Sequence, residues 1–150
     1  MSENAAERTF RKGKAALQSG DLIAALAHFE AAIRIEQRRG IRPAGRYLSY
    51  YGACFALTTG RLEEARDACE RGVEAEFYNA DLQLNLGRVC LQAGDRAAAY
   101  RAFRAGLRLQ GDHRGLRGAL QAMGIRRRPR LAFLRRSHPF NRVLGRLSAP

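Results

Sequence analysis

The sequence contains no Trp, only four Pro and only two Lys, and its last acidic residue is Asp112. Few stretches are rich in β-branched residues while Ala is abundant, so helices are expected in place of sheets. Three cysteines, Cys54, Cys69 and Cys90, are too few and too scattered for a disulfide framework or a zinc site. Each falls at an apolar position of a helical pattern, which reads as a small buried side chain. No window reaches the ~18 apolar residues of a membrane span. The first eight residues show no apolar run behind a basic start, so no secretory leader is expected and the default location is the cytoplasm.

Chemistry-bearing patterns are missing as well. His28, His113 and His138 have no metal-ligand spacing. Glu63, Glu64, Asp67, Glu70 and Glu74 mark a solvated helix face that Arg66 and Arg71 can partner. Neither a phosphate-cradling glycine motif nor a nucleophile–base pattern occurs. The expectation is therefore a protein that is not an enzyme, with no cofactor, no metal and no small-molecule substrate.

What is present is repetition. Three turns read Ser19-Gly20-Asp21-Leu22, Thr59-Gly60-Arg61-Leu62 and Ala93-Gly94-Asp95-Arg96. Counting from each Gly, position +5 is Ala25, Ala65 and Ala99, and position +9 is Phe29, Cys69 and Phe103. Position +12 is Ala32, Gly72 and Gly106, position +13 is Ile33, Val73 and Leu107, and position −3 is Leu17, Leu57 and Leu91. Position −7 is Gly13, Ala53 and Gly87. A glycine that ends a helix, an Asp placed to cap the next one, and small residues facing large ones describe a helix–turn–helix hairpin. One hairpin cannot bury its apolar face alone, so hairpins stack.

The Gly60-to-Gly94 spacing of 34 residues and the residues at these columns resemble the tetratricopeptide repeat. The units are residues 6–39, 46–79 and 80–113, about three quarters of the chain. The family's early Trp is replaced by Thr9, Ser49 and Gln83, its closing Pro by Gln37, Phe77 and Gly111, and Lys12 stands where Leu is usual. Gly20 to Gly60 is 40 residues, and the excess around residues 38–45 reads as a lengthened second helix plus a loop. A further helix over 113–123, with Leu116, Leu120 and Met123 on one face, is expected to cap the array. The expected fold is an all-α solenoid of about seven helices, forming a domain over residues 1–124, with a short extra helix beyond it.

The resemblance also implies where a partner would lie. The first helix of each unit lines a concave groove, at Glu7, Phe10, Lys14 and Gln18, at Tyr47, Tyr50, Cys54 and Thr58, and at Asp81, Leu84, Arg88 and Gln92. The groove set for a peptide or helix is Phe10, Lys14, Tyr47, Tyr50, Leu84, Arg88 and Gln92. Tyr50 suits a recognition contact, whereas Tyr51 and Tyr47 can instead pack against neighbouring helices. The paired Lys and Asn set with which some family members clamp a carboxylate terminus is absent. Three repeats suffice for a stable monomer.

Residues 125–150 change character. Residues 113–150 hold ten Arg and no acid, whereas residues 1–112 are nearly balanced. Arg126, Arg127, Arg128, Arg130, Arg135 and Arg136 precede a short amphipathic helix expected over 139–147, with Phe140 on its apolar face and Arg142 and Arg146 opposite. This tail can fold back on the solenoid, dock a protein or anionic membrane surface, or contact nucleic-acid phosphates. The leading reading is a protein–protein interaction scaffold or adaptor. The alternative is nucleic-acid or anionic-membrane binding through the tail.

Overall fold

The computed structural model describes residues 4–124, and the expected helix at 139–147 with the tail arginines lies outside them. Seven helices follow in order: α1 (Ala5–Gln18), α2 (Leu22–Arg38), α3 (Gly45–Thr59), α4 (Leu62–Ala75), α5 (Ala80–Gln92), α6 (Arg96–Leu109) and α7 (Arg114–Ala122). Helices α1–α2, α3–α4 and α5–α6 pair as hairpins, and α3 also packs on α2 and α5. Among the described residues, those up to Ala119 form one compact unit.

The hairpin turns form as the local sequence dictates. Gly20, Gly60 and Gly94 adopt φ of 83°, 70° and 80°, a region that glycine enters without a Cβ penalty. Asp21 and Asp95 then cap the following helices, accepting from the backbone N–H of Ala24 and Ala98, each at 2.9 Å. Asn4 and Asn79 cap α1 and α5 through Ala6 and Asp81.

Small residues let each hairpin close. A Cβ on Gly13 would stand 2.6 Å from the Phe29 ring, and one on Gly87 would strike the Phe103 ring. Both rings are fully buried. The middle hairpin solves the same problem differently. Its partner residue is Cys69, smaller than Phe, and the two helices meet backbone to backbone. A Cβ on Gly52 would lie 2.6 Å from the Ala65 carbonyl oxygen and 2.9 Å from Cys69 Sγ, and a Cβ on Gly45 would strike the Gly72 carbonyl oxygen.

This places Gly52, not Ala53, in the column of Gly13 and Gly87. Helix α3 has 15 residues against 14 in α1 and 13 in α5, and its turn closes one residue earlier. In the outer turns Asp21 and Asp95 N–H reach back to the Ala16 and Cys90 carbonyls, whereas Gly60 N–H bonds directly to Ala56.

Helix α3 also has no cap from its own sequence, because Ala44 carries no acceptor. Two buried carboxylates supply it from elsewhere. Glu36 of α2 accepts from Ala44 N–H at 2.8 Å, and Glu76 after α4 accepts from Arg46 N–H at 3.1 Å. They are only 6% and 7% exposed. The 40-residue spacing thus resolves into the 17-residue α2 and a connection that Glu36 holds.

Helix α7 is capped by His113, whose Nδ1 accepts from Leu116 N–H at 3.2 Å. Leu116 is fully buried, and its Cδ1 occupies the space a Cβ on Gly106 would need. The expected helix over 113–123 is therefore present at Arg114–Ala122.

Candidate functional site

The first helices of the hairpins present one continuous depression. Its first part, about 330 Å3, is lined by Lys14, Leu17, Gln18, Tyr50, Asp81, Leu84, Asn85 and Arg88. Its second part, about 250 Å3, shares Leu17, Tyr50, Asn85 and Arg88 and adds Ala53, Cys54, Leu57, Val89 and Gln92. The first is a polar end with two cations, and the second is an apolar end.

Tyr50 sits between the two parts. Its ring packs edge-on against Phe10 at 5.3 Å and tilted against Phe29 at 5.6 Å, while Lys14 Nζ stands 5.6 Å from its centroid. Burial and the neighbouring Asp81 carboxylate push its hydroxyl up to about 12, with Arg88 pulling the other way. The hydroxyl is therefore a neutral hydrogen-bonding tip at physiological pH. Asp81 is engaged by His113 Nε2 at 2.8 Å. Because His113 Nδ1 accepts from Leu116 N–H, Nε2 carries the proton and donates it. Lys14 and Arg88 form no salt bridge among the described residues. Gln92 donates to the Ala56 carbonyl at 3.1 Å, and Asn85 donates to Ser49 Oγ at 3.2 Å, both tying α5 to α3.

Of the seven residues read from sequence as the groove set, five line this depression: Lys14, Tyr50, Leu84, Arg88 and Gln92. Phe10 and Tyr47 lie instead in the core, 4% and 1% exposed, with ring centroids 4.9 Å apart. The Tyr47 hydroxyl donates to Glu7 at 2.8 Å, and Arg46 reaches the same carboxylate at 2.9 Å and Glu76 at 3.1 Å. Burial works against the Glu7 anion, but the hydrogen bonds from Arg46 and Tyr47 outweigh it and hold the carboxyl below its ordinary value of 4.5. Glu7 is thereby occupied by its own neighbours.

Phe10 is buried by its packing against Phe29 and Tyr47, whereas the displacement of Tyr47 follows from the one-residue offset of α3. Aligned on Gly52, the α3 residues that match Lys14 and Arg88 and their neighbours are Ala53 and Leu57, not Cys54 and Thr58. Leu57 is 58% exposed, and Cys54 is buried despite touching the depression. The signal was legible as two adjacent small residues, Gly52 and Ala53, but only the contact with Cys69 selects between them. Leu17 was read only as a packing position, yet it lines both parts, as does Asn85.

The cysteines provide no reactive group. All three are buried, and loss of solvation raises their thiols, Cys54 to about 11 and Cys69 to about 12. Among the described residues no cluster of three or more potential metal ligands occurs, and no helix is long and apolar enough to cross a membrane.

Residues 6–39 and 80–113 match the tetratricopeptide-repeat model. The chain belongs to the tetratricopeptide-repeat family. The two matched segments are the outer hairpins, and the middle hairpin with its offset helix is the one between them. No curated protein matches the chain. The fold is that of solved tetratricopeptide-repeat structures. The corresponding domain of Arabidopsis OM64 is 20% identical, with a TM-score of 0.65, over 79% of this chain and 93% of that one. The Sgt2 domain from Aspergillus fumigatus is 18% identical, with a TM-score of 0.66, over 81% and 78%. PcrH, from Pseudomonas aeruginosa, in complex with the chaperone-binding region of PopB is 21% identical, with a TM-score of 0.61, over 83% and 95%. Tetratricopeptide-repeat domains are typically protein- or peptide-binding scaffolds and are generally not catalysts.

Proposed function

We propose that this tetratricopeptide-repeat protein is an interaction scaffold that seats a segment of another protein in the depression formed by α1, α3 and α5. The observation that carries this reading is the pairing of an apolar end, at Leu17, Leu57 and Val89, with a cationic end, at Lys14 and Arg88. Leu57 is exposed where a free-standing protein would favour a polar side chain. Lys14 and Arg88 form no salt bridge among the described residues, and the carboxylate that Lys14 feels, Glu7, is already held by Arg46, so an acidic group of a partner meets cations that need not break an existing pair. Tyr50 adds a large, half-buried ring with a neutral hydroxyl, the type of residue that anchors interfaces. The complex of PcrH with a segment of PopB supports this reading as a precedent for the fold.

The partner segment is thus amphipathic, with an apolar side chain over Leu57 and an acidic one near Arg88. The test is affinity capture from native extract, followed by titration of the captured partner against the full chain and two variants. Tyr50→Ala would disturb the packing of Phe10 and Phe29, so the informative changes are Lys14→Glu with Arg88→Glu, and Leu57→Asp. Each is expected to weaken binding by roughly 30-fold, the loss of about 2 kcal/mol at a hot spot. Unchanged affinity in both variants, with helical content retained, would mean that partners bind elsewhere.

A further inference from the structure

The second helices of the three hairpins differ in how they carry charge. On α2, Arg34 pairs with Glu30 at 2.6 Å. On α4, Arg66 pairs with Glu70 at 2.8 Å and with Asp95 at 3.2 Å, and Arg71 faces Asp67 at 3.8 Å. Helix α6 has no acidic residue at all. Its Arg101, Arg104 and Arg108 are exposed and form no salt bridge or side-chain hydrogen bond among the described residues, and only Arg101 feels a nearby carboxylate, that of Asp95.

We propose that the outward face of α6 binds the phosphodiester backbone of a nucleic acid. At 100° per residue, Tyr100, Arg101, Arg104 and Arg108 fall within an arc of about 100°, opposite the buried Ala99, Ala102, Phe103 and Gly106. At 1.5 Å per residue the three guanidinium-bearing positions span about 10.5 Å of a straight helix. That length matches about three phosphate-to-phosphate steps of one strand at ~3.4 Å each along a duplex axis. Guanidinium groups contact phosphate oxygens bidentately and stay charged at every relevant pH. Tyr100, 39% exposed and without ring contacts among the described residues, stands beside the row where an unstacked base or a sugar can pack on it.

The same face disfavours the other anionic partners. A helix that lies on a membrane inserts an apolar side, but the apolar side of α6 is consumed within its hairpin. An acidic protein segment has its receptor at Lys14 and Arg88, where cations adjoin an apolar depression, whereas on α6 the arginine row stands on an outward face with only Tyr100 and Leu109 as exposed large apolar side chains. Mutual repulsion of three arginines on one helix face, of which only Arg101 has a carboxylate nearby, lowers stability slightly, and a polyanion relieves it.

The test uses the full chain and a fluorescein-labelled 20-base-pair DNA duplex, titrated by anisotropy at several salt concentrations. Vesicles containing phosphatidylserine and a poly-Glu peptide serve as competitors. The variant Arg101→Glu/Arg104→Glu/Arg108→Glu is expected to bind at least tenfold more weakly. Its glutamine counterpart, which avoids new charge, is expected to lower the slope of log affinity against log salt by about 2.7, or 0.9 for each lost contact. Circular dichroism of both variants should match the parent, because all three positions are exposed. The proposal is overturned if the parent does not bind the duplex, if both variants bind with unchanged affinity and slope, or if vesicles or poly-Glu compete more strongly than unlabelled duplex.

Discussion

The outer hairpins and the middle hairpin reach the same fold by different physical means. In the outer pair a glycine slides under a buried phenylalanine ring, and Asn and Asp residues adjacent in sequence cap each helix. In the middle hairpin the ring is replaced by Cys69, and glycines on both helices bring the backbones into contact. Neither of its helices is capped by its own preceding side chain. For α3 the missing cap is supplied by Glu36 and Glu76, which belong to other elements. The lesson is that a repeat can lose its local signals if its neighbours supply the same hydrogen bonds and volume. The outer hairpins are specified by nearby residues, and the middle one is specified by the array.

The largest test of this contrast is Gly72→Ala. A methyl there would sit 2.7 Å from the Gly45 carbonyl oxygen and 2.9 Å from Ser49 Cβ, and a backbone oxygen cannot turn aside. The expected loss is about 3 kcal/mol in urea denaturation, despite the helix propensity alanine gains. The corresponding position in the first hairpin already holds a buried alanine, Ala32, and in the third Gly106 faces the side chains of Leu116 and Gln83, so the backbone-to-backbone approach belongs to the middle hairpin. A loss below about 0.5 kcal/mol would show that α3 and α4 can separate freely, and the contrast would fail.

A smaller effect is expected from the caps. Glu36→Ala leaves the Ala44 N–H without its acceptor in a nearly buried site and should cost about 2 kcal/mol. Asp21→Ala, at an exposed cap, should cost about 1 kcal/mol. If the two losses were equal, the cap borrowed from α2 would be no more important than a local one.

The smallest effect concerns Glu7, which ties α1 to Arg46 and Tyr47 of α3. Its carboxyl is held below 4.5 in the folded chain, so the folded state binds this proton less readily than the unfolded state. The stabilisation it gives is therefore complete above the unfolded value and is lost as pH falls through the folded value. Urea midpoints measured from pH 7 down to pH 3 should decline more steeply below about pH 4.5 for the parent than for Glu7→Gln. Parallel profiles would mean that Arg46 does not sense the charge.

The hairpins, their glycine turns and their number were legible in the sequence because each rests on residues within about ten positions of one another. Phe29 and Phe103, Gly20 and Gly94, and Asp21 and Asp95 repeat at fixed offsets. The groove was legible only in part. Lys14, Leu84, Arg88 and Gln92 follow from the outer repeats, whose register is intact. Tyr50 lines the depression too, but the residues beside it were displaced by one, because the helix-closing turn of α3 lacks counterparts of the bonds from Gly20 N–H to Leu17 and from Asp21 N–H to Ala16 that the outer turns have in common. Tyr47 reads from sequence as a recognition residue and is in fact the donor that satisfies Glu7, a partner 40 positions away.

By itself the sequence determined that the chain is helical, that its helices pair through glycine turns, and that small and large side chains alternate so that hairpins can stack. Those outcomes depend on backbone conformation and short-range sterics, which act between near neighbours along the chain. Only the tertiary structure decided which face of α3 meets the groove, which carboxylates cap it, and which cations remain without partners. Apart from the Glu36 cap, which reaches eight positions, those outcomes depend on hydrogen bonds and packing between residues some 30 to 40 positions apart, whose registration is fixed only when the hairpins stack.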